Sequence, residues 1–194
     1  MLALSDKGAY MQVIGSLMRN PTLLGEGLAS SLTVDDFDSN LLRAVFTSIN
    51  NLSKNGAHTI SVIDVDNYLR DYPALAAAFK SGNGIQYLQD CDDVAQEGNF
   101  DYYCERVKKF SALRSLSKAG FDVSHIYSDE LSDPRKEAEL KEKFDELSLS
   151  DVFASVSSKI AELEGKFVGY SSGYAGPADE GIAELIESLK ETPE

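Results

Sequence analysis

The sequence predicts an all-α protein: a compact globular helical subdomain followed by a long antiparallel helical hairpin, then a flexible linker and one amphipathic helix. Two observations support this fold class. Apolar residues recur at spacings of three and four along most of the chain, which is the period of a helix, and no segment of convincing length alternates apolar and polar residues as a strand would. The predicted parts cover residues 1–98, 99–164, 165–177 and 178–194.

The composition is that of a folded, acidic protein. Of the 194 residues, 43% are hydrophobic and 26% are charged, which argues against a disordered chain and against a fibrous repeat. Lys and Arg number 18 and Asp and Glu number 32, so the net charge of -14 opposes the field of a phosphate backbone. Cys91 and Cys104 show no metal or disulfide pattern, and neither a secretory leader nor an apolar span is present. We therefore expect a cytoplasmic protein that does not enter a membrane.

The predicted globular subdomain begins with two helices. The first has Ser5 or Asp6 as its N-terminal cap and ends before Pro21. The second follows the acidic segment at Asp35 and ends in the turn at Gly56.

Three shorter helices are predicted next. Ser61 caps one that runs to Leu69, and Pro73 begins the next one. The turn at residues 81–84 separates this helix from a further one that contains Leu88.

The predicted hairpin consists of two apolar runs. One extends from Asn99 to Val123 with Gly120 as its only stop signal, and the other extends from Leu140 to Leu163. Each helix covers only one stripe of the other, so the remaining apolar residues pack either on the globular subdomain or on the hairpin of a second copy. The candidate packing or dimer residues are Val107, Phe110, Leu113, Leu116, Phe144 and Leu147.

The predicted linker is rich in glycine and serine, and the segment after it regains a helical pattern. Its apolar residues have the spacing i, i+3, i+4 and i+7 and are Ile182, Leu185, Ile186 and Leu189. A helix of this length is marginal alone, so we expect this stripe to need a partner surface.

Residues with the spacing of a catalytic, cofactor or metal site are not found. The Gly-Lys pair at Gly165 lacks the rest of a P-loop, and the glycine clusters at 82–84 and 169–176 do not follow a strand. His58 and His125 have no further ligand at metal spacing. We therefore expect a non-catalytic chain without a bound cofactor or metal, and an enzyme with an unrecognised site is the weakest alternative.

One helix carries a concentration of positive charge in this acidic chain. Within the first hairpin helix the cations are opposed only by Glu105, and they are Arg106, Lys108, Lys109, Arg114 and Lys118. They form either a solvated helix face or a contact with an acidic surface or, weakly, with nucleic acid. The acidic surface in question is that of a neighbouring copy, with Glu137, Glu139, Glu142 and Asp145.

Several segments follow one another in the order and spacing of a known family. Val13–Met18 with Asn20 is similar to a Val-Leu-Gly-Gly-Leu-Met…Asn pattern, and Leu32–Phe37 is similar to the Asp-Phe segment that precedes the second helix. Gly84–Leu88 is similar to Gly-Gly-x-x-Tyr-Leu, and Asn99–Arg114 is similar to the start of a helical hairpin. Over about residues 9–165 these segments resemble the N-terminal domain of the DnaB-type replicative DNA helicases.

The resemblance implies a function in DNA replication. In that family the N-terminal domains pair through their hairpins into a trimer-of-dimers collar over the motor ring, and they are platforms for primase and for the helicase loader. The linker helix docks on the motor domain of the neighbouring subunit, which assigns that role to residues 178–194. Because the chain has no ATPase domain, ATP and Mg²⁺ are expected only if a motor domain follows.

The expected function is thus a non-catalytic oligomerisation and partner-docking module of a helicase that is hexameric in full length and acts in the cytoplasm of a bacterium or of a phage host. DNA contacts would be weak or belong to the missing domain. The alternative is a free-standing, phage-encoded adaptor or decoy that binds and modulates a helicase or primase. The two hypotheses differ on whether the reading frame continues past Glu194.

Overall fold

A computed structural model describes residues 4–128 and 133–167, and all regular secondary structure in this part of the chain is helical. This confirms the predicted all-α class. The α-helices are α1 (Lys7–Arg19), α2 (Asn40–Lys54), α3 (Val62–Leu69), α4 (Pro73–Ser81), α5 (Gly84–Val94), α6 (Phe100–Lys118), α7 (Pro134–Glu146) and α8 (Leu149–Phe167). Short 3-10 turns lie at Pro21–Gly25, Gly27–Ser31, Val34–Asp36 and Glu97–Asn99. The predicted helix at 178–194 and most of the predicted linker lie outside the described residues.

The N-terminal helices begin where polar side chains satisfy free backbone N–H groups. Asp6 accepts a hydrogen bond from the N–H of Ala9 at 2.9 Å and so caps α1. Ser61 and Asp64 form a reciprocal capping box at the start of α3. Hydrogen bonds from Ser61 lower the pKa of the Asp64 carboxyl, which favours the ionised form of this cap.

The core lies around α1, which packs against α2, α5 and α6. At its closest approach to α5, a Cβ placed on Gly15 would lie 2.1 Å from the carbonyl oxygen of Cys91. The same core continues past residue 98, because Cys104 and Val107 of α6 belong to it. Helix α6 is therefore part of the N-terminal core as well as the first helix of the predicted hairpin.

Helix α6 ends earlier than the sequence pattern predicts. The apolar run suggests a helix to Val123, but α6 stops at Lys118 because Gly120 adopts a left-handed conformation with φ +94°. The N–H of Phe121 donates to the carbonyl of Leu116 at 3.0 Å, as in a Schellman motif. Val123 is buried all the same, because it packs from a turn rather than from the helix.

The second run of the predicted hairpin is interrupted within the described residues. Helix α7 ends at Glu146, and α8 begins at Leu149. Between them, Ser148 donates its N–H to Asp151 at 2.9 Å, and its hydroxyl accepts from the N–H of Asp151 at 3.2 Å. This Ser-x-x-Asp capping box starts a new helix, so the run from Leu140 to Leu163 is not one continuous helix.

The chain divides into two compact units, one ending at Val152 and the other beginning at Phe153. Of the helices in the described ranges, none is long and apolar enough to cross a membrane. The predicted boundaries between subdomain, hairpin, linker and terminal helix stay predictions.

Candidate interaction surface

The predicted hairpin residues are largely covered within the chain itself. Val107, Phe110 and Leu113 of α6 and Phe144 of α7 are buried. The remaining two, Leu116 and Leu147, are half-buried. These side chains therefore pack within a single chain, whereas a role in dimer formation stays a prediction.

Three aromatic rings connect α6 to α7 and to the turn between them. Phe110 contacts Tyr127 edge to face with the ring centroids 4.9 Å apart, and it contacts Phe144 at 5.0 Å. Tyr127 and Phe144 are also 5.0 Å apart, so the three rings form a closed cluster. Aromatic pairs at such distances contribute about 0.5–1.5 kcal/mol each beyond their burial. The cluster fixes the C-terminal half of α7 against the middle of α6.

Lys109 is a buried cation beside this aromatic cluster. Its ammonium donates to the carbonyl of Phe144 at 2.9 Å, of Leu147 at 2.8 Å and of Asp145 at 3.3 Å. These carbonyls lie at the end of α7, where the helix has no N–H partners for them and where its dipole favours a positive charge. Burial lowers the pKa of the Lys109 ammonium, although the carboxylate of Glu105 opposes that shift. Lys109 therefore closes the end of α7.

Two residues that lie one helical turn before Lys109 hold the same joint between α7 and α8. The carboxylate of Glu105 accepts from the N–H of Leu149 at 3.2 Å, which is the first residue of α8. Arg106 forms ion pairs with Asp6 before α1 and with Asp145 of α7. The break between α7 and α8 is thus tied to α6 by Glu105, Arg106 and Lys109.

Two further cations of α6 bind the segment before α2. Lys108 pairs with the buried carboxylate of Asp36 at 3.0 Å. Arg114 donates to the backbone carbonyl of Asp36 at 2.6 Å, and also to the hydroxyl of Tyr10 and to the carbonyl of Leu4, both at 2.9 Å. Burial outweighs the nearby Arg114 charge and raises the pKa of Tyr10 to about 12, so its hydroxyl stays protonated. The N-terminal end of the chain is fastened to α6 in this way.

The predicted basic patch is therefore largely engaged within the chain. Arg106, Lys108, Lys109 and Arg114 have acceptors in their own chain, and Lys118 is exposed. One acceptor is Asp145, which the sequence had suggested as an acidic contact in a neighbouring copy. These acceptors lie between 35 and 110 positions away from the cations, so no local pattern could identify them.

Helix α8 presents the most continuous apolar surface of the described residues. Its exposed side chains are Phe153 (49%), Ile160 (40%), Leu163 (46%) and Phe167 (73%). The sequence pattern placed the first three in the hairpin run but did not identify them as an interface. The spacings of seven, three and four between the four residues were the available signal, because residues at such intervals lie on one face of a helix.

The other features of the part of the chain that the structure describes lack the chemistry of a catalytic site. A cleft of about 360 Å³ between α3, α4 and α5 has an apolar floor that includes Leu69 and Phe79. Burial raises the pKa of Cys91 and of Cys104 to about 12, so neither thiol is a nucleophile at neutral pH. The described residues contain no group of His, Cys, Asp and Glu side chains that could hold a metal ion.

Comparison with known proteins identifies the family. The family model of the DnaB-like helicase N terminal domain matches residues 4–109, which is the part of the chain from α1 into α6. A relative in Bacillus subtilis strain 168, the SPbeta prophage-derived uncharacterized protein YorI, is 35% identical over 191 residues. That match covers 98% of this chain and 38% of the relative, so the chain spans about two fifths of the relative's length. The chain belongs to the DnaB-like helicase N-terminal domain family.

Proposed function

We propose that this chain is a non-catalytic oligomerisation and partner-docking module of a replicative DNA helicase. The observation that carries the proposal is the exposed apolar stripe of α8 on a domain of the DnaB-like family. An exposed apolar stripe of this kind is typical of a surface that a protein partner covers. The relative from a Bacillus prophage favours a bacterial cytoplasm as the place of action.

The proposed contacts are assigned to three groups of residues. Self-association involves the hairpin region, and its candidate residues are the apolar side chains named for that region above. Primase and a helicase loader bind the outer surface of the collar, and DNA is bound through the motor domain rather than through this acidic chain. The segment 178–194 docks on the motor domain of a neighbouring subunit, with ATP and Mg²⁺ bound only there.

A free-standing adaptor or decoy is the second candidate, and the prophage origin of the relative YorI favours it. Such a protein would bind a host helicase or primase and modulate it. Sequencing the coding DNA past the Glu194 codon separates the two hypotheses. A continuing frame with a P-loop supports the helicase module, and a stop codon supports the adaptor.

Replacing both Leu185 and Ile186 with Asp should abolish binding of the chain to a DnaB-type motor domain, measured with purified proteins by surface plasmon resonance. The reason is that two carboxylates would occupy the apolar stripe that residues 178–194 present in sequence. Circular dichroism should report an unchanged fold, because α1–α8 do not include these positions.

The matched control is Ala183→Asp combined with Ser188→Asp, which adds the same charge at two positions outside the apolar stripe of the same segment. This control should bind the motor domain as the native chain does. Equal binding by both double variants would contradict the docking role. ATP hydrolysis by the chain in the presence of single-stranded DNA would contradict its non-catalytic assignment.

A further inference from the structure

The joint between α7 and α8 consists of Leu147 and Ser148, the two residues that lie between these helices. Leu147 has extended backbone with ψ 135°, whereas a residue in an α-helix has a ψ of about -42°. The N–H of Leu147 still donates to the carbonyl of Lys143 at 3.2 Å, and the N–H of Val152 donates to that of Ser148 at 3.2 Å. Between these two bonds, a continuous α-helix would have four more, each from an N–H group to the carbonyl four positions before it.

Side chains occupy the backbone groups that three of these four bonds would use. Lys109 donates to the carbonyls of Phe144, Asp145 and Leu147. The N–H groups four positions further on also have side-chain acceptors, which are Asp151 for Ser148 (2.9 Å), Glu105 for Leu149 (3.2 Å) and the hydroxyl of Ser148 for Asp151 (3.2 Å). A continuous helix would pair these six groups with one another, so none of them would lack a partner in either form.

The sequence of the joint permits a helix. Residues 143–152 contain neither proline nor glycine, so every residue has a backbone donor and none has an unusual preference against helical backbone. Two of the side chains that compete with helical hydrogen bonds, Glu105 and Lys109, belong to α6. Contact with α6 therefore determines which of the two forms is favoured.

A continuous helix would turn the apolar face of α8 away from the apolar face of α7. Phe144 and Phe153 are nine positions apart, as are Leu147 and Val156, and nine residues make about two and a half turns of an α-helix. The members of each pair would thus lie on opposite faces. Because Phe144 packs on α6, Val156, which is buried in the broken form, would lose its cover in the continuous form.

We propose that residues 144–151 form a two-state switch, in which α7 and α8 interconvert between the broken form and one continuous helix over residues 134–167. Glu105 and Lys109 hold the broken form. This form also buries Val156, so it is the major form of the isolated chain. The continuous form presents the apolar face of α8 on the opposite side. The switch goes beyond the proposed function, because it regulates how this face is presented whichever partner covers it.

NMR spectroscopy of the complete chain measures both forms. The Cα chemical shift of Leu147 distinguishes extended from helical backbone, and relaxation dispersion of the amides at 147–151 reports exchange on the microsecond to millisecond time scale. We expect the native chain to exchange with a continuous form that is populated at about 0.1–10%.

Leu149→Pro should lock the broken form. Proline is favoured at the first position of a helix and favours extended backbone at the preceding Ser148, as the broken form requires. In a continuous helix it would lack the N–H for the carbonyl of Asp145, and its ring would clash with that carbonyl. The exchange should therefore disappear. Leu149→Ala is the matched control, since it also removes the leucine side chain but keeps the N–H, and its exchange should persist. Exchange that persists in L149P would contradict the switch.

Ser148→Ala combined with Asp151→Ala should have the opposite effect. The double variant removes both members of the capping box and introduces the residue with the highest helix propensity, so the population of the continuous form should rise at least about fivefold. The Leu147 shift should move toward the helical value. Ser158→Ala combined with Glu162→Ala is the matched control at exposed positions inside α8, and it should leave that shift unchanged. An S148A/D151A variant whose Leu147 shift equals that of the native chain would overturn the proposal.

Discussion

Replacing Lys109 with methionine should lower the free energy of unfolding by about 2–4 kcal/mol, because three carbonyls at the end of α7 lose their donor. Methionine keeps most of the volume of the side chain, so the loss reports the hydrogen bonds rather than a cavity. The hydrogen bond from Lys109 to the carbonyl of Phe144 is buried, so that carbonyl would be left without its donor. Urea denaturation followed by circular dichroism measures the change.

Lys118→Met is the control for Lys109, since Lys118 is an exposed cation on the same helix. It should change stability by less than about 0.5 kcal/mol. Hydrogen exchange should show that the K109M variant loses protection first at residues 134–151, where α7 ends and α8 begins. Equal stabilities of the two variants would show that Lys109 does not hold this joint.

Gly15→Ala should be similarly damaging, with a loss of about 3 kcal/mol or more. The added Cβ would lie 2.1 Å from the carbonyl oxygen of Cys91 and 2.8 Å from the Cβ of Ala95. One of these atoms is rigid backbone, so α1 and α5 have to move apart for the variant to fold. Thermal denaturation of the purified variant measures the effect.

Gly165→Ala is the matched control, because nothing lies within 4 Å of a Cβ at this position of α8. Alanine has the higher helix propensity, so this variant should be more stable by up to about 1 kcal/mol. Opposite signs for the same chemical change would establish that close packing, rather than the loss of glycine, is the cause at Gly15. A neutral G15A variant would contradict the close contact between α1 and α5.

The ends of the helices were the most predictable feature of this fold, because they depend on local chemistry. Asp6 and Ser61 cap the helices that they were expected to cap. Local sequence also contained the signals for two further helix ends. Gly120, which adopts a left-handed conformation, ends α6, and the Ser-x-x-Asp box at Ser148 begins α8. The prediction failed there because an uninterrupted apolar pattern was given more weight than the signals that stop a helix.

The partners of the charged side chains could not be predicted in the same way. The pattern of α6 shows that cations follow one another on a helix, but it does not show which face meets the rest of the chain. Arg106 and Arg114 find acceptors about 100 positions earlier, near Asp6 and Leu4. Such contacts follow from the packing of α6 on α1, which no single segment contains.

The apolar stripe of α8 was predictable only in part. Its period was visible in the sequence, and helical structure there is confirmed. Periodicity does not show whether each position is buried, since Val156 and Ile160 both belong to the apolar pattern of α8 and only Ile160 is exposed to solvent. The assignment of an interface therefore needed the burial of each residue, whereas the hairpin residues chosen from the pattern are mostly covered.

The contacts between the N-terminal segment and α6 also constrain how the chain can fold while it is synthesised from its N-terminus. Leu4 and Tyr10 are synthesised early, yet they bind Arg114, and the core around α1 includes Cys104 and Val107. A nascent chain that has reached only α5 therefore has an open, apolar α1 and an incomplete core. Truncation before α6 removes the last helix that contributes to that core. The folding unit therefore includes α6 as well as the short helices that precede it.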